Sequence, residues 1–183
     1  REYVAQLVEY NKKFLIIMPL NAITYKEIFK FIRDNKLWLG YGFKAGNAYF
    51  EVKGKNESDF AKGVYDKETG LVKFRNVTWG TNLDIKKRHE ILETIYTYDK
   101  YSEKYPKYDN YDAINVDKTI DIPTDYDGVM GVPISFLDKH NPTQFKLLGI
   151  MNTGEINEGI RYKNTTHGRP IINGVEKYLR ILI

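Results

Sequence analysis

Hydrophobic positions change their spacing several times along the chain, and each change marks an element. Val4, Leu7 and Val8 share one face of REYVAQLVEY, which predicts a helix over residues 1–11. The run Phe14-Leu15-Ile16-Ile17-Met18 has no polar alternation, as expected of a central strand covered on both faces, and Pro19 ends it. Asn21 and Thr24 offer N-cap chemistry. Thr24-Tyr25-Lys26-Glu27 fits a capping box, in which hydroxyl and carboxylate each satisfy a free backbone N–H. Ile28, Phe31 and Ile32 then fall on one face, predicting a helix from Thr24 to Asn35. Residues 37–43, aromatic and apolar with two glycines that admit close backbone approach, predict the next strand. Helix, strand, helix, strand is the order of a parallel sheet with crossover helices, so the fold class is α/β.

Beyond a turn at residues 44–47, Ala48 to Val52 predicts a strand and the polar stretch Lys53 to Gly70 a surface loop. LVKFRNVTW, residues 71–79, alternates side chains as an antiparallel strand does, and leads towards the basic cluster Lys86-Lys87-Arg88-His89. Six tyrosines at positions 96, 98, 101, 105, 108 and 111 mark an extended, aromatic-rich connection. Residues 112–138 mix short apolar pieces with Pro and Asp-Gly, as short strands and turns do. Asn141-Pro142 is the start of a helix on this reading. Asn173-Gly174 signals a hairpin whose returning strand would run from Val175 to Ile183. The second half is therefore β-rich and irregular.

Composition narrows the chemistry. Without cysteine there are no disulfides, thiol nucleophiles or cysteine-ligated metals, and the three histidines show no metal-ligand spacing. No run approaches the roughly 18 apolar residues of a membrane helix, and no basic-then-apolar leader opens the chain, so a cytoplasmic protein is expected. Charge is uneven: residues 1–92 carry 17 basic and 11 acidic side chains, net +6, against 11 and 13, net −2, for residues 93–183. A basic half suits a polyanionic partner. The chain enters a helix with no starting methionine, which suggests a fragment. Two parallel strands cannot build such a sheet unaided, so one face or edge should be unusually apolar and favour self-association.

Several constellations bear on chemistry. Gly40-Tyr41-Gly42-Phe43-Lys44-Ala45-Gly46 has the wrong spacing for a dinucleotide loop and no helix after it. Asp125-Tyr126-Asp127-Gly128 lacks the remaining calcium ligands and reads as a turn. Asp34, Glu51 and Lys53 could form the carboxylate–carboxylate–lysine set of a magnesium-dependent nuclease. Lys86, Lys87 and Arg88 could clamp phosphates. Trp38, Tyr41, Phe43 and Trp79 offer stacking surface for an extruded base or act as core aromatics.

Longer words carry a more specific signal: LNAITYKEIF at 20–29, NKLWLGYGF at 35–43, TNLDIKKRHE at 81–90, and YDNYDAINVDK with DYDGVMGVPISFLDK across 108–139. Together they resemble the EcoRI-type adenine-specific DNA methyltransferases, over nearly the whole chain. Met18-Pro19-Leu20 departs from the Gly-Asn-containing turn expected there near the active-site rim.

The resemblance implies that residues 1–92 are the distal half of a class I, Rossmann-like methyltransferase sheet ending in its antiparallel hairpin, and that residues 93–183 form a β-rich target-recognition region. It implies methyl transfer from S-adenosylmethionine to N6 of adenine in double-stranded DNA, within restriction-modification. The catalytic Asn-Pro-Pro-Phe and the donor-binding strand would lie upstream, so this chain alone is expected to be inactive. The adenine amine lone pair is delocalised into the ring, so the site needs acceptors that localise it and aromatic faces that hold the flipped base. Here Tyr41, Phe43 and Trp79 would stack on the target base, and Lys86, Lys87, Arg88, Arg161 and Arg169 would contact DNA. A non-catalytic DNA-binding or specificity module is the alternative.

Overall fold

Amphipathic patterning produces two helices and eleven short strands in the computed structural model, which describes residues 1–42, 47–152 and 168–183. The chain divides into two compact units, Arg1–Ile32 with Lys36–Leu83, and Arg33–Asn35 with Asp84–Ile183. The basic turn after Asp84 clusters with the second unit.

The first unit opens with helix α1 (Glu2–Glu9), which buries Val4, and strand β1 (Leu15–Pro19). A 3-10 turn over Leu20–Thr24 precedes helix α2 (Lys26–Arg33), which buries Ile28, Phe29 and Ile32. The capping box does not form. The Thr24 hydroxyl donates to the Asn21 carbonyl at 2.8 Å and closes the 3-10 turn, so the helix starts two residues later than expected.

Strands β2 (Trp38–Leu39), β3 (Asn47–Glu51), β4 (Leu71–Arg75) and β5 (Val77–Thr81) follow. The expected parallel pairing is replaced. Strands β1 and β2 run the same way, but β5 lies between them in the order β1-β5-β2 and is antiparallel to both. Leu15 pairs with Thr81 and Pro19 with Val77 on one side; Trp38 pairs with Thr81 and Leu39 with Gly80 on the other. The single strand expected over residues 71–79 breaks at Asn76, whose φ of 52° is left-handed. Asn tolerates that conformation, and the break lets β4 turn away to pair with β3 while β5 enters the sheet.

Covering is one-sided. The face bearing Met18, Thr78, Gly80 and Leu39 is buried, and Met18 packs so closely over Gly80 that an added Cβ would lie 2.5 Å from its sulfur. The opposite face of β1 leaves Leu15 55% and Ile17 41% exposed, where cover on both faces is expected from sequence. Buried Thr81 donates from Oγ1 to the Phe14 carbonyl at 2.7 Å, and the Asn82 amide takes the Phe14 N–H and donates to the Lys12 carbonyl. Thr81-Asn82 thereby fastens the end of β5 to the start of β1.

In the second unit, β6 (Ile114–Asn115), β7 (Met130–Pro133), β8 (Gly149–Ile150) and β11 (Arg180–Leu182) make one sheet in the order β6-β7-β11-β8. Strand β6 is parallel to β7; β11 is antiparallel to β7 and β8. Strands β9 (Ile171–Ile172) and β10 (Val175–Glu176) form the expected hairpin, with Asn173 and Gly174 at φ 51° and 74°. The strand expected over Val175–Ile183 splits, because β10 returns along β9 while β11 joins the larger sheet. The tyrosine-rich connection is a packed wall: Tyr105, Tyr108 and Tyr111 are buried, and Tyr96 lies against Tyr101 at 5.3 Å and under the Lys104 ammonium at 3.5 Å. Asn141-Pro142 opens a turn rather than a helix, since Asn141 Oδ1 accepts from both the Thr143 N–H and its hydroxyl. Among the described residues no helix is long and apolar enough to cross a membrane.

Candidate nucleic-acid interface

Two of the residues expected to hold a base, Tyr41 and Trp79, lie on or just beyond the paired strands β2 and β5 of the first sheet. Strands β1 and β2 both end at one edge of that sheet, and β5 begins there; the Leu20 N–H donates to the Asn76 carbonyl at 2.7 Å across that edge. Ligands of α/β sheets bind at the carboxyl ends of same-direction strands. Tyr41, just beyond β2, is 57% exposed. Trp79 is half-buried on β5, and its backbone carbonyl accepts the Gly40 N–H at 2.9 Å. A Cβ on Gly40 would sit 2.9 Å from Trp79 Cβ, so the glycine is what lets the Trp79 side chain lie against the backbone of the neighbouring strand. Trp38 donates its indole N–H to the Leu83 carbonyl at 2.9 Å and is anchored rather than offered. Phe43 lies outside the described residues.

The basic cluster is built differently from a row of free cations. Lys86–His89 is a 3-10 turn. Lys87, with only 13% of its side chain exposed, makes a short ion pair with Asp138. Arg88 is half-buried and donates from Nη2 to Asn35 Oδ1 at 2.7 Å, and burial pushes its guanidinium below the ordinary value. His89 Nε2 lies 2.5 Å from the Asp84 carboxylate. Lys86 is exposed and has no side-chain partner among the described residues. Two of the three expected phosphate contacts are thus engaged within the second unit, and Lys86 is the cation left for an external anion.

Arg169 is exposed beside the β9–β10 hairpin, 3.2 Å from Glu176. The hairpin is held firmly. Asn110 donates to the Arg169 carbonyl at 2.8 Å and accepts the Ile171 N–H at 2.9 Å, Tyr111 donates to the Gly168 carbonyl, and Asp109 takes the Asn173 and Gly174 amides of the turn. Arg161 lies outside the described residues. A cleft of about 450 Å³ in the second unit, lined by Tyr126, Phe145 and Lys146 among others, contains none of the expected site residues.

No group of three or more His, Asp or Glu capable of holding a metal comes together among the described residues. Asp34 is paired with Arg33 at 3.0 Å, and Glu51 projects from β3. Sequence reasoning passed over the outer face of the β3–β4 ribbon, where Asn47, Tyr49, Lys73 and Arg75 alternate with the apolar Ala48, Phe50, Val72 and Phe74. That alternation was the available signal.

A family model described as adenine-specific methyltransferase EcoRI matches residues 1–183. The chain is 46% identical over 184 residues to the type II methyltransferase M.EcoRI of Escherichia coli, covering all of this chain and 53% of that protein. It is 31% identical to M.MgeORF184P of Mycoplasma genitalium and 32% identical to M.MpnI of Mycoplasma pneumoniae, again over its full length and 60% of each. No solved structure matches the chain. The chain therefore spans a little over half the length of these curated relatives. Its match to the family runs from the first residue to the last, through the strand ends, the aromatic edge and the basic turn alike, and the chain belongs to the EcoRI family of adenine-specific methyltransferases.

Proposed function

We propose that this chain is the distal part of a class I DNA adenine-N6 methyltransferase, which moves a methyl group from S-adenosylmethionine to the exocyclic amine of adenine in duplex DNA. The observation that carries the reading is the sheet order β1-β5-β2, two same-direction strands with an antiparallel one between them, in a chain that matches the family throughout. In this reading residues 1–92 complete the catalytic sheet and residues 93–183 recognise the target, as a restriction-modification enzyme requires. The glycine stretch after β2 offers no cradle for the methyl donor among the described residues. Among the described residues no helix N-terminus follows Gly40 and Gly42, and Trp79 fills the space beside Gly40. No step is assigned to the donor on this chain.

What the chain itself contributes is positioning. Tyr41 and Trp79, with Phe43 from outside the described residues, stack on an adenine turned out of the duplex. Each such contact contributes roughly 1–3 kcal/mol against the unstacking cost. Lys86 and Arg169 neutralise phosphates, while Lys87 and Arg88 shape the turn that presents Lys86. Exposed Leu15 and Ile17 favour self-association of the isolated chain.

The test is methyl transfer from labelled S-adenosylmethionine to unmethylated DNA, comparing this chain with the protein as its gene encodes it. Transfer by the gene product alone supports the reading. Failure of both to transfer, with DNA binding intact, favours a non-catalytic specificity module. In the gene product, Lys86→Ala should lower the slope of log affinity against log salt by about 0.9, the value for one lost phosphate contact; an unchanged slope removes Lys86 from the interface.

A further inference from the structure

Between the end of β2 and the start of β5 the chain leaves the first sheet and returns as a separate two-stranded ribbon, β3 paired with β4. Its pairs are Asn47 with Arg75, Ala48 with Phe74, Tyr49 with Lys73, Phe50 with Val72 and Glu51 with Leu71. Side chains alternate between the faces of such a ribbon, so these pairs sort into two sets. Ala48, Val72, Phe50 and Phe74 share one face; Ala48 and Val72 are buried, and the two phenylalanine rings meet edge to face at 5.5 Å. Burial of Ala48 and Val72 sets which way the ribbon presents its other face, with Phe74 at the end of the apolar face 42% exposed.

The outer face begins with Asn47 and Arg75 beside the sheet, continues with Tyr49 and Lys73, and ends with Glu51 and Leu71. Tyr49 is 51% exposed, and the Lys73 ammonium lies 5.7 Å from its ring centroid. Arg75 is exposed and has no carboxylate partner among the described residues. The two cations therefore stand together on the half of the face nearest the sheet. That half also adjoins the edge bearing Tyr41, since one residue, Asn76, separates Arg75 from β5.

We infer that the β3–β4 ribbon is a second DNA-contacting element, which lays its Asn47, Tyr49, Lys73 and Arg75 face along a groove of the duplex beside the extruded base. The inference rests on the reading of the chain as part of a DNA adenine methyltransferase. Three physical arguments support it. A two-stranded antiparallel ribbon fits the major groove of B-DNA, about 12 Å wide. Arginine and asparagine are the side chains that bind guanine and adenine edges bidentately, and both occur at one pair of this ribbon. Successive pairs on one face lie roughly 6.7 Å apart, about two base-pair steps of 3.4 Å, so the Asn47–Arg75 and Tyr49–Lys73 pairs can meet separate steps of one groove.

The test measures duplex binding by the protein as its gene encodes it, with Arg75→Ala, Lys73→Gln and Glu51→Gln variants at several salt concentrations. Arg75→Ala and Lys73→Gln should each weaken binding about tenfold, and Glu51→Gln should strengthen it, because its carboxylate faces the same polyanion. Opposite signs from one face would not come from a purely structural role. A photoreactive side chain at Tyr49 should also cross-link to a DNA strand. Affinities within twofold of wild type for all three variants, with no cross-link, would overturn the inference while leaving the methyltransferase reading intact. Absence of duplex binding by the unaltered protein would overturn both.

Discussion

His140 shows how a single side chain is assigned a structural role. It is 9% exposed, packs against Phe136 at 5.7 Å between ring centroids, and sits 2.8 Å from the Phe145 carbonyl, to which Nε2–H must donate. Burial is the main cause of its depressed pKa, and the nearby Arg88 charge adds to it. The unfolded chain then binds a proton that the folded one refuses, so stability falls as pH drops below the unfolded value of about 6.5 and levels off once the folded pKa is passed. His140→Gln should flatten that decline between pH 7 and 5, as read by chemical denaturation. An unchanged decline would place its origin elsewhere. Lys87 and Arg88 follow the same logic: their charges face Asp138 and Asn35, so their removal should act first on folding.

At the scale of elements, Asn110 is the joint on which the β9–β10 hairpin depends. It is 2% exposed and serves both the Arg169 carbonyl and the Ile171 amide. Asn110→Ala leaves both groups without that partner, at a cost of about 1–3 kcal/mol for each group left buried and unsatisfied. Thermal melting should report that loss, and exchange of the Ile171 amide should quicken; unaltered exchange would contradict the assignment. Elements of this kind were legible from sequence where local chemistry decided them. The two helices, the β3 strand and the Asn173-Gly174 turn all formed close to where periodicity and turn residues put them. Pairing was not legible. Nothing local in Phe14–Met18 reveals that its neighbour is Val77–Thr81, more than 50 residues on, or that Asn76 bends the chain between two sheets. Partners of charged groups were hidden for the same reason. Lys87 and Lys86 look alike in sequence, and only the fold brings Asp138 to one of them.

The first unit presents a sheet whose strand β1 is covered on one face and open on the other. Leu15 and Ile17 point from the exposed face of β1, and Leu20 just beyond it is 39% exposed. Apolar groups gathered this way favour association. Leu15→Lys with Ile17→Lys should shift the isolated chain towards monomer in sedimentation at equal concentration and leave its melting temperature nearly unchanged. Association that persists in the double variant would place the contact on another surface.

The position of β11 has a consequence for how the molecule comes into being. Arg180–Leu182 is an interior strand of its sheet, holding β7 on one side and β8 on the other. During synthesis β1, β2 and β5 can pair once Thr81 has emerged, because all three are then available. The second unit waits: among the described residues β7 and β8 have no shared partner until β11 leaves the ribosome. A stop codon anywhere between Pro133 and Arg180 would therefore leave the second unit without its keystone, not merely shorter, with its strands exposed to the cell's proteases.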